Sequence, residues 1–80
     1  MTPEAYAKAH QKAFRTAFNF LNAHFPPGSE DEWWLQTAQE GALATEEASS
    51  DPLTVQLLVA VTNYLGDEYK RRYQNGETDN

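Results

Sequence analysis

Histidines, carboxylate clusters and hydroxyls are the side chains in this chain with the means to do chemistry. His10 and His24 are its two histidines. Fourteen residues of straight helix would hold them ~21 Å apart, too far to share a metal ion or to act as one acid–base pair. Their expected place is the edge of a core, each with a ring nitrogen satisfied. A sharper alternative joins His24 to Glu30, Asp31 or Glu32 as a weak metal site, but no ligand-spacing motif supports it. Those three acids are otherwise explained as the first turn of a helix, where carboxylates favour the positive dipole end.

Nucleophilic chemistry lacks its parts. There is no cysteine, and the serines, Ser29, Ser49 and Ser50, all fall where helices should start. Four scattered glycines make no phosphate loop. The expectation is a non-enzyme with no cofactor and no metal.

Two clusters point to binding instead. Lys70-Arg71-Arg72 lies between Tyr69 and Tyr73, a composition that can hold phosphates or stack on bases. Its structural reading is a helix C-terminus, with Glu68 pairing with Arg72 at i,i+4. Trp33 and Trp34 are adjacent, so on a helix they diverge by ~100° and one narrow face cannot take both. Trp34 should be core and Trp33 nearer the edge, either as an interface anchor or as a cap over Phe25 and the Pro26-Pro27-Gly28 turn. Leu43, and Phe20 on the flank of the first helix, extend the candidate apolar patch.

Charge limits the partners. The chain has 80 residues and a formal charge of −6. Residues 1–28 carry three bases and one acid, residues 29–51 seven acids and no base, and residues 52–80 three bases and four acids. That balance argues against general affinity for nucleic acid or anionic membranes. The acidic third suggests an alternative, mimicry of a nucleic acid through Glu40, Glu46 and Glu47. The run Leu57 to Val61 is far shorter than the ~20 apolar residues that span a bilayer. Absence of cysteine fits a reducing, cytoplasmic setting.

Positioning these residues needs three helices. The first runs over 3–25, with Thr2 as N-cap, Pro3 at the first helical position and Pro26 beyond its end. Its apolar arc holds Tyr6, His10, Ala13, Phe14, Ala17, Phe18, Leu21, His24 and Phe25. The second runs over 30–47, with Ser29 and Glu32 as a capping box and Trp34, Ala38, Gly41, Ala42, Thr45 and Ala48 on one small-residue face. Gly41 is a possible kink; an unbroken helix leaves Leu43 pointing outward. The third runs over 52–74. Its opening, Leu53 to Thr62, alternates like a strand, but no other segment offers a ladder partner. Read as a helix, it lines up Leu58, Val61, Leu65 and Tyr69.

The expected fold is a single all-α domain, a small three-helix bundle with its first two helices antiparallel and a frayed tail over 76–80. Eighty residues make a thin stability margin, which a homodimer would widen. The expected function is a protein–protein interaction module, with self-association among its forms, that uses the edge of the second helix.

Overall fold

A computed structural model of the chain describes residues 2–74; the expected tail over 76–80 lies outside them. Three helices form an all-α bundle: α1 Pro3–His24, α2 Asp31–Glu47 and α3 Pro52–Tyr69, followed by a π-helical turn, Lys70–Gln74. The third helix therefore changes its winding near Tyr69 rather than running as one α-helix to 74.

Local chemistry sets the helix ends. The Thr2 hydroxyl accepts the Ala5 N–H at 3.1 Å, and Pro3 needs no partner for the donor it lacks. α1 stops at His24, where Phe25 turns extended ahead of the cis Phe25–Pro26 bond. Asp51 caps α3, its carboxylate accepting both the Thr54 N–H at 3.0 Å and the Thr54 hydroxyl at 2.9 Å. α2 departs from expectation. Its N-cap is Glu30, with no side-chain cap bond, so Ser29 and Glu32 form no capping box. The chain leaves α2 through Ser49 and Ser50, both left-handed, whose N–H groups bond back to Glu46 and Thr45 carbonyls.

Helix order follows from which residues meet. Phe20 faces Gly41 and His24 bonds Glu40, while Thr16 lies with Ala44 and Ala48. Rising numbers in α1 thus meet falling numbers in α2, and the two are antiparallel. Phe25 stacks on Tyr64 while Ala13 lies beside Thr54, so α1 and α3 run parallel.

The core is narrower than the apolar pattern suggests. Ala13, Ala17, Phe20, Leu58 and Leu65 are its buried apolar side chains, with Pro27 closing one end. On α1 the buried line is Ala13, Ala17, Phe20 and His24. Phe14 and Phe18, expected inside, are 58% and 63% exposed. The two alanines let α1 approach α3 closely, and Leu58 and Leu65 fill the space above them. Bulky rings at the seam would hold the helices apart. Phe20 takes the opposite course. It is buried against α2 at Gly41, which corrects its place in a surface patch; even an added Cβ there would meet the ring at an ordinary 3.6 Å.

α2 continues unbroken through Gly41. Its inward arc is rotated from the expected one. Thr37 is buried and Ala44 half-buried, whereas Ala38 and Ala42 are exposed. The contacts of Gly41 with Phe20 and of Glu40 with His24 set that rotation. Of the small-residue face assigned to the core, Ala38 and Ala42 look outward beside α3, while Trp34, Gly41, Thr45 and Ala48 stay half-buried. On α3, Thr54, Leu58, Leu65 and Glu68 are buried, with Val61 and Tyr69 half-buried.

Candidate functional site

Ala38, Ala42 and Thr45 of α2 and the facing side of α3 form an open cleft of about 240 Å³. Ala38, Ala42 and Thr45 line one wall, and Val55, Val59 and Thr62 the other. Helical spacing puts this arc together, since positions 38, 42 and 45 recur every three or four residues. The floor is Leu58 and Gly41. Val59 is 54% exposed, and Leu35, one turn before Ala38, is 61% exposed.

The threonines do not make this cleft polar. Thr45 donates its hydroxyl to the Gly41 carbonyl at 3.0 Å, and Thr62 donates to Leu58 at 2.8 Å. Thr37, at the deep edge, donates to Trp33 at 2.8 Å. Each hydroxyl is spent on its own helix, so the methyl groups are what a visitor would meet. A cleft of this size falls below the usual 300–1,000 Å³ of small-molecule sites. It suits a few aliphatic side chains presented by another helix.

The residues singled out from sequence are scattered around this cleft rather than gathered in it. Trp33 packs over the turn: a Cβ on Gly28 would lie 2.6 Å from its Cγ. Its ring also meets His24 edge-on at 6.2 Å and Trp34 at 4.6 Å. Trp34 in turn meets Tyr69, and Tyr73 donates to the Pro27 carbonyl at 3.3 Å. Trp33 is therefore part of a ring cluster that closes this end of the bundle. Leu43 is 55% exposed, but its helix neighbours at three and four residues are Gln39, Glu40, Glu46 and Glu47. It is an isolated leucine on a polar face. Glu46 and Glu47 stay exposed.

His24 meets neither Glu30, Asp31 nor Glu32. It is buried, with Nδ1 2.7 Å from the Phe20 carbonyl and Nε2 2.5 Å from Glu40 Oε2. Both nitrogens face acceptors, so the pair is fully hydrogen-bonded when it holds two protons between ring and carboxyl. Among the described residues, no three histidine, aspartate or glutamate side chains converge to hold a metal. Sequence reasoning missed this pair because it spans two helices. The available signal was the antiparallel turn, which sets the end of α1 beside the middle of α2.

The basic cluster is largely engaged. Glu68, buried among apolar neighbours, takes Arg71 in two bonds at 2.9 and 2.7 Å, with Arg72 3.6 Å away. Arg71, not Arg72, is thus its main partner. The Arg71 bonds hold the Glu68 carboxyl below the usual range, and Glu68 raises Arg71 further. Arg72 also lies over the Phe25 ring at 5.2 Å.

Among the described residues, no helix is long and apolar enough to cross a membrane. No protein family, characterised protein or solved structure matches the chain.

Proposed function

We propose that the protein is a non-catalytic interaction module that receives an amphipathic helix of another protein in the α2–α3 cleft. The reading is carried by one observation: an open cleft whose threonine hydroxyls are all internally bonded, leaving methyl groups on both walls. Such a surface rewards aliphatic side chains at i, i+3, i+4 and i+7. Glu46, one turn beyond Ala42 on the rim, adds a preference for Lys or Arg flanking them. The edge of α2 keeps its role from the sequence reading, with the contact moved from Trp33 and Leu43 to Ala38, Ala42 and Val59.

A photoreactive residue placed at Ala42 or Val59, in the protein's own cellular setting, should form one dominant adduct, and the same residue at Leu43 should not. Ala42→Arg should abolish that adduct while leaving the helical signal intact. Equal labelling at all three positions, or no adduct at either cleft position, removes the proposal.

A further inference from the structure

The aromatic side chains that α1 leaves outside its seam form a stripe of their own. Tyr6, Phe14 and Phe18 are 51%, 58% and 63% exposed, spaced by multiples of four residues. Phe14 and Phe18 sit roughly 160° around the helix from Thr16 and Phe20, the side chains that face α2. The stripe continues onto Phe25 and Tyr64, stacked at 6.1 Å and 12° and still 38% and 45% exposed. Ala7 and Leu21 fall between the rings. Exposed aromatic surface alone is on the order of 500 Å², at ~200 Å² for each ring residue. That is at the upper end for the largest apolar patch of a monomer. With the intervening aliphatics it approaches the ~800 Å² that each partner contributes to a standard interface.

The first three turns of α1 add a second observation. Every residue from Pro3 to Lys12 is exposed, apart from the half-buried Ala5, so this ~15 Å of helix is little covered by the bundle, which it meets where Ala9 and Lys12 share a recess with Ala48, Asp51 and Thr54. Three turns are fewer than an isolated helix needs in water. A covering partner would supply what the bundle does not.

We infer that the stripe is the interface of a homodimer, in which α1 packs antiparallel against α1 of a second copy. Electrostatics favour a second copy meeting here. A chain of charge −6 repels its own kind, and the seven acids lie in residues 29–51, outside α1. The rings from Tyr6 to Phe18 carry no charge between them, Arg72 lies over Phe25 at one end of the stripe, and Lys8 and Lys12 fall on the far arc of α1. Antiparallel pairing sets Phe14 near Phe18 of the second copy, and Tyr6 near its Phe25. It also brings Glu4 to the end where Arg72 lies over Phe25. A parallel pair would set Glu4 beside Glu4 and leave both far from Arg72. This interface is separate from the α2–α3 cleft and survives failure of the partner proposed there.

Sedimentation equilibrium on the full chain, across micromolar to submillimolar concentrations, should give twice the 9.1 kDa monomer mass. Phe14→Asp with Phe18→Asp should weaken association by ~100-fold or more, since two interface anchors are replaced by charges. Both sites are exposed, so circular dichroism should show the helix content kept. Leu43→Asp and Ala42→Arg should leave the dimer unchanged. Oxidising a mixture of Gln11→Cys and Leu21→Cys chains, positions that this register sets together, should join one kind to the other; self-joining of either kind overturns the antiparallel arrangement. A monomer throughout the range overturns the dimer, as does a dimer indifferent to the double variant. Binding of a monomer to vesicles of anionic phospholipid through Phe14 and Phe18 would assign the stripe to a lipid surface instead.

Discussion

The two ends of the bundle are built on different principles. Where α1 turns into α2, large rings fill the space and an ion pair borders them: Trp33, Trp34, Tyr69 and Tyr73 interlock, and the buried Glu68 holds the exposed Arg71. Where α2 turns into α3, the side chains are small. Ala9, Ala13, Thr16, Ala48 and Thr54 surround an open recess of about 200 Å³ with Lys12 and Asp51 at its rim. The first end is held by packing, which is short-ranged and dense. The second is held by backbone geometry, namely two left-handed serines and an aspartate cap. The difference teaches that a chain of this size cannot furnish two cores. It concentrates bulk at one end and lets capping fix the other.

If that contrast is right, the largest losses come from the packed half. Leu65 has no exposed surface and lies between the rings and the α1–α3 seam. Leu65→Ala should cost about 2–5 kcal/mol in denaturant unfolding, a large share of the stability of an 80-residue domain. A loss below 1 kcal/mol would mean that the core is looser than its burial implies. Gly28→Ala comes next. The new Cβ would meet Trp33 at its Cγ and Cβ, atoms that cannot swing aside without moving the indole. The expected cost is about 1–3 kcal/mol, with a change in tryptophan fluorescence. An unaltered spectrum would show that the ring cluster has room to spare.

The ends differed in the same way in how legible they were. Helix number, order and the cap at Thr2 could be read from sequence, and the cap of α3 narrowed to Ser50 or Asp51, because capping and proline placement act within four residues. Rotation of each helix about its axis could not. The apolar arc of α1 spans enough of the circumference to allow either the Phe14–Phe18 side or the Ala13–Ala17 side to face inward. The choice rests on how closely α3 can approach, and that is a property of two helices together. α2 carried the same ambiguity. Its small-residue face suited close packing, yet with Gly41 against Phe20 and Glu40 bonded to His24, Ala38 and Ala42 were left on the outside. Partner choices made across helices, such as His24 with Glu40, leave no mark on periodicity within either one. Glu68 was visible as a pairing residue, but its preference for Arg71 depends on the π-helical turn that begins at Lys70.

Acid should separate the ends further. The Thr54 N–H, then its hydroxyl, hold the Asp51 carboxyl below the usual range. Glu68 is lowered chiefly by its bonds to Arg71. In both cases the folded pKa lies below the unfolded one. The stabilisation is therefore complete above the unfolded value and is lost as pH falls through the folded one. Unfolding free energy should decline on acidification below the ordinary carboxylate range. Asp51→Ala should remove part of that slope with a smaller loss at neutral pH than Gly28→Ala, and Glu68→Gln should remove another part. If neither variant flattens the acid limb, neither the Asp51 cap nor the Glu68–Arg71 pair is what acid breaks.

The smallest effect should have the opposite sign. Gly66 lies inside α3, in ordinary helical conformation, and a Cβ built on it meets nothing within 4 Å. The glycine costs the helix backbone entropy and gains it no packing. Gly66→Ala should therefore raise stability by about 0.5–1 kcal/mol, while Gly28→Ala, the same change in the turn, lowers it. The pair isolates the contrast between the two settings, since the added methyl is identical. A destabilising Gly66→Ala would imply that another surface approaches α3 there, and comparing its effect at low and high protein concentration would tell whether that surface belongs to a second copy.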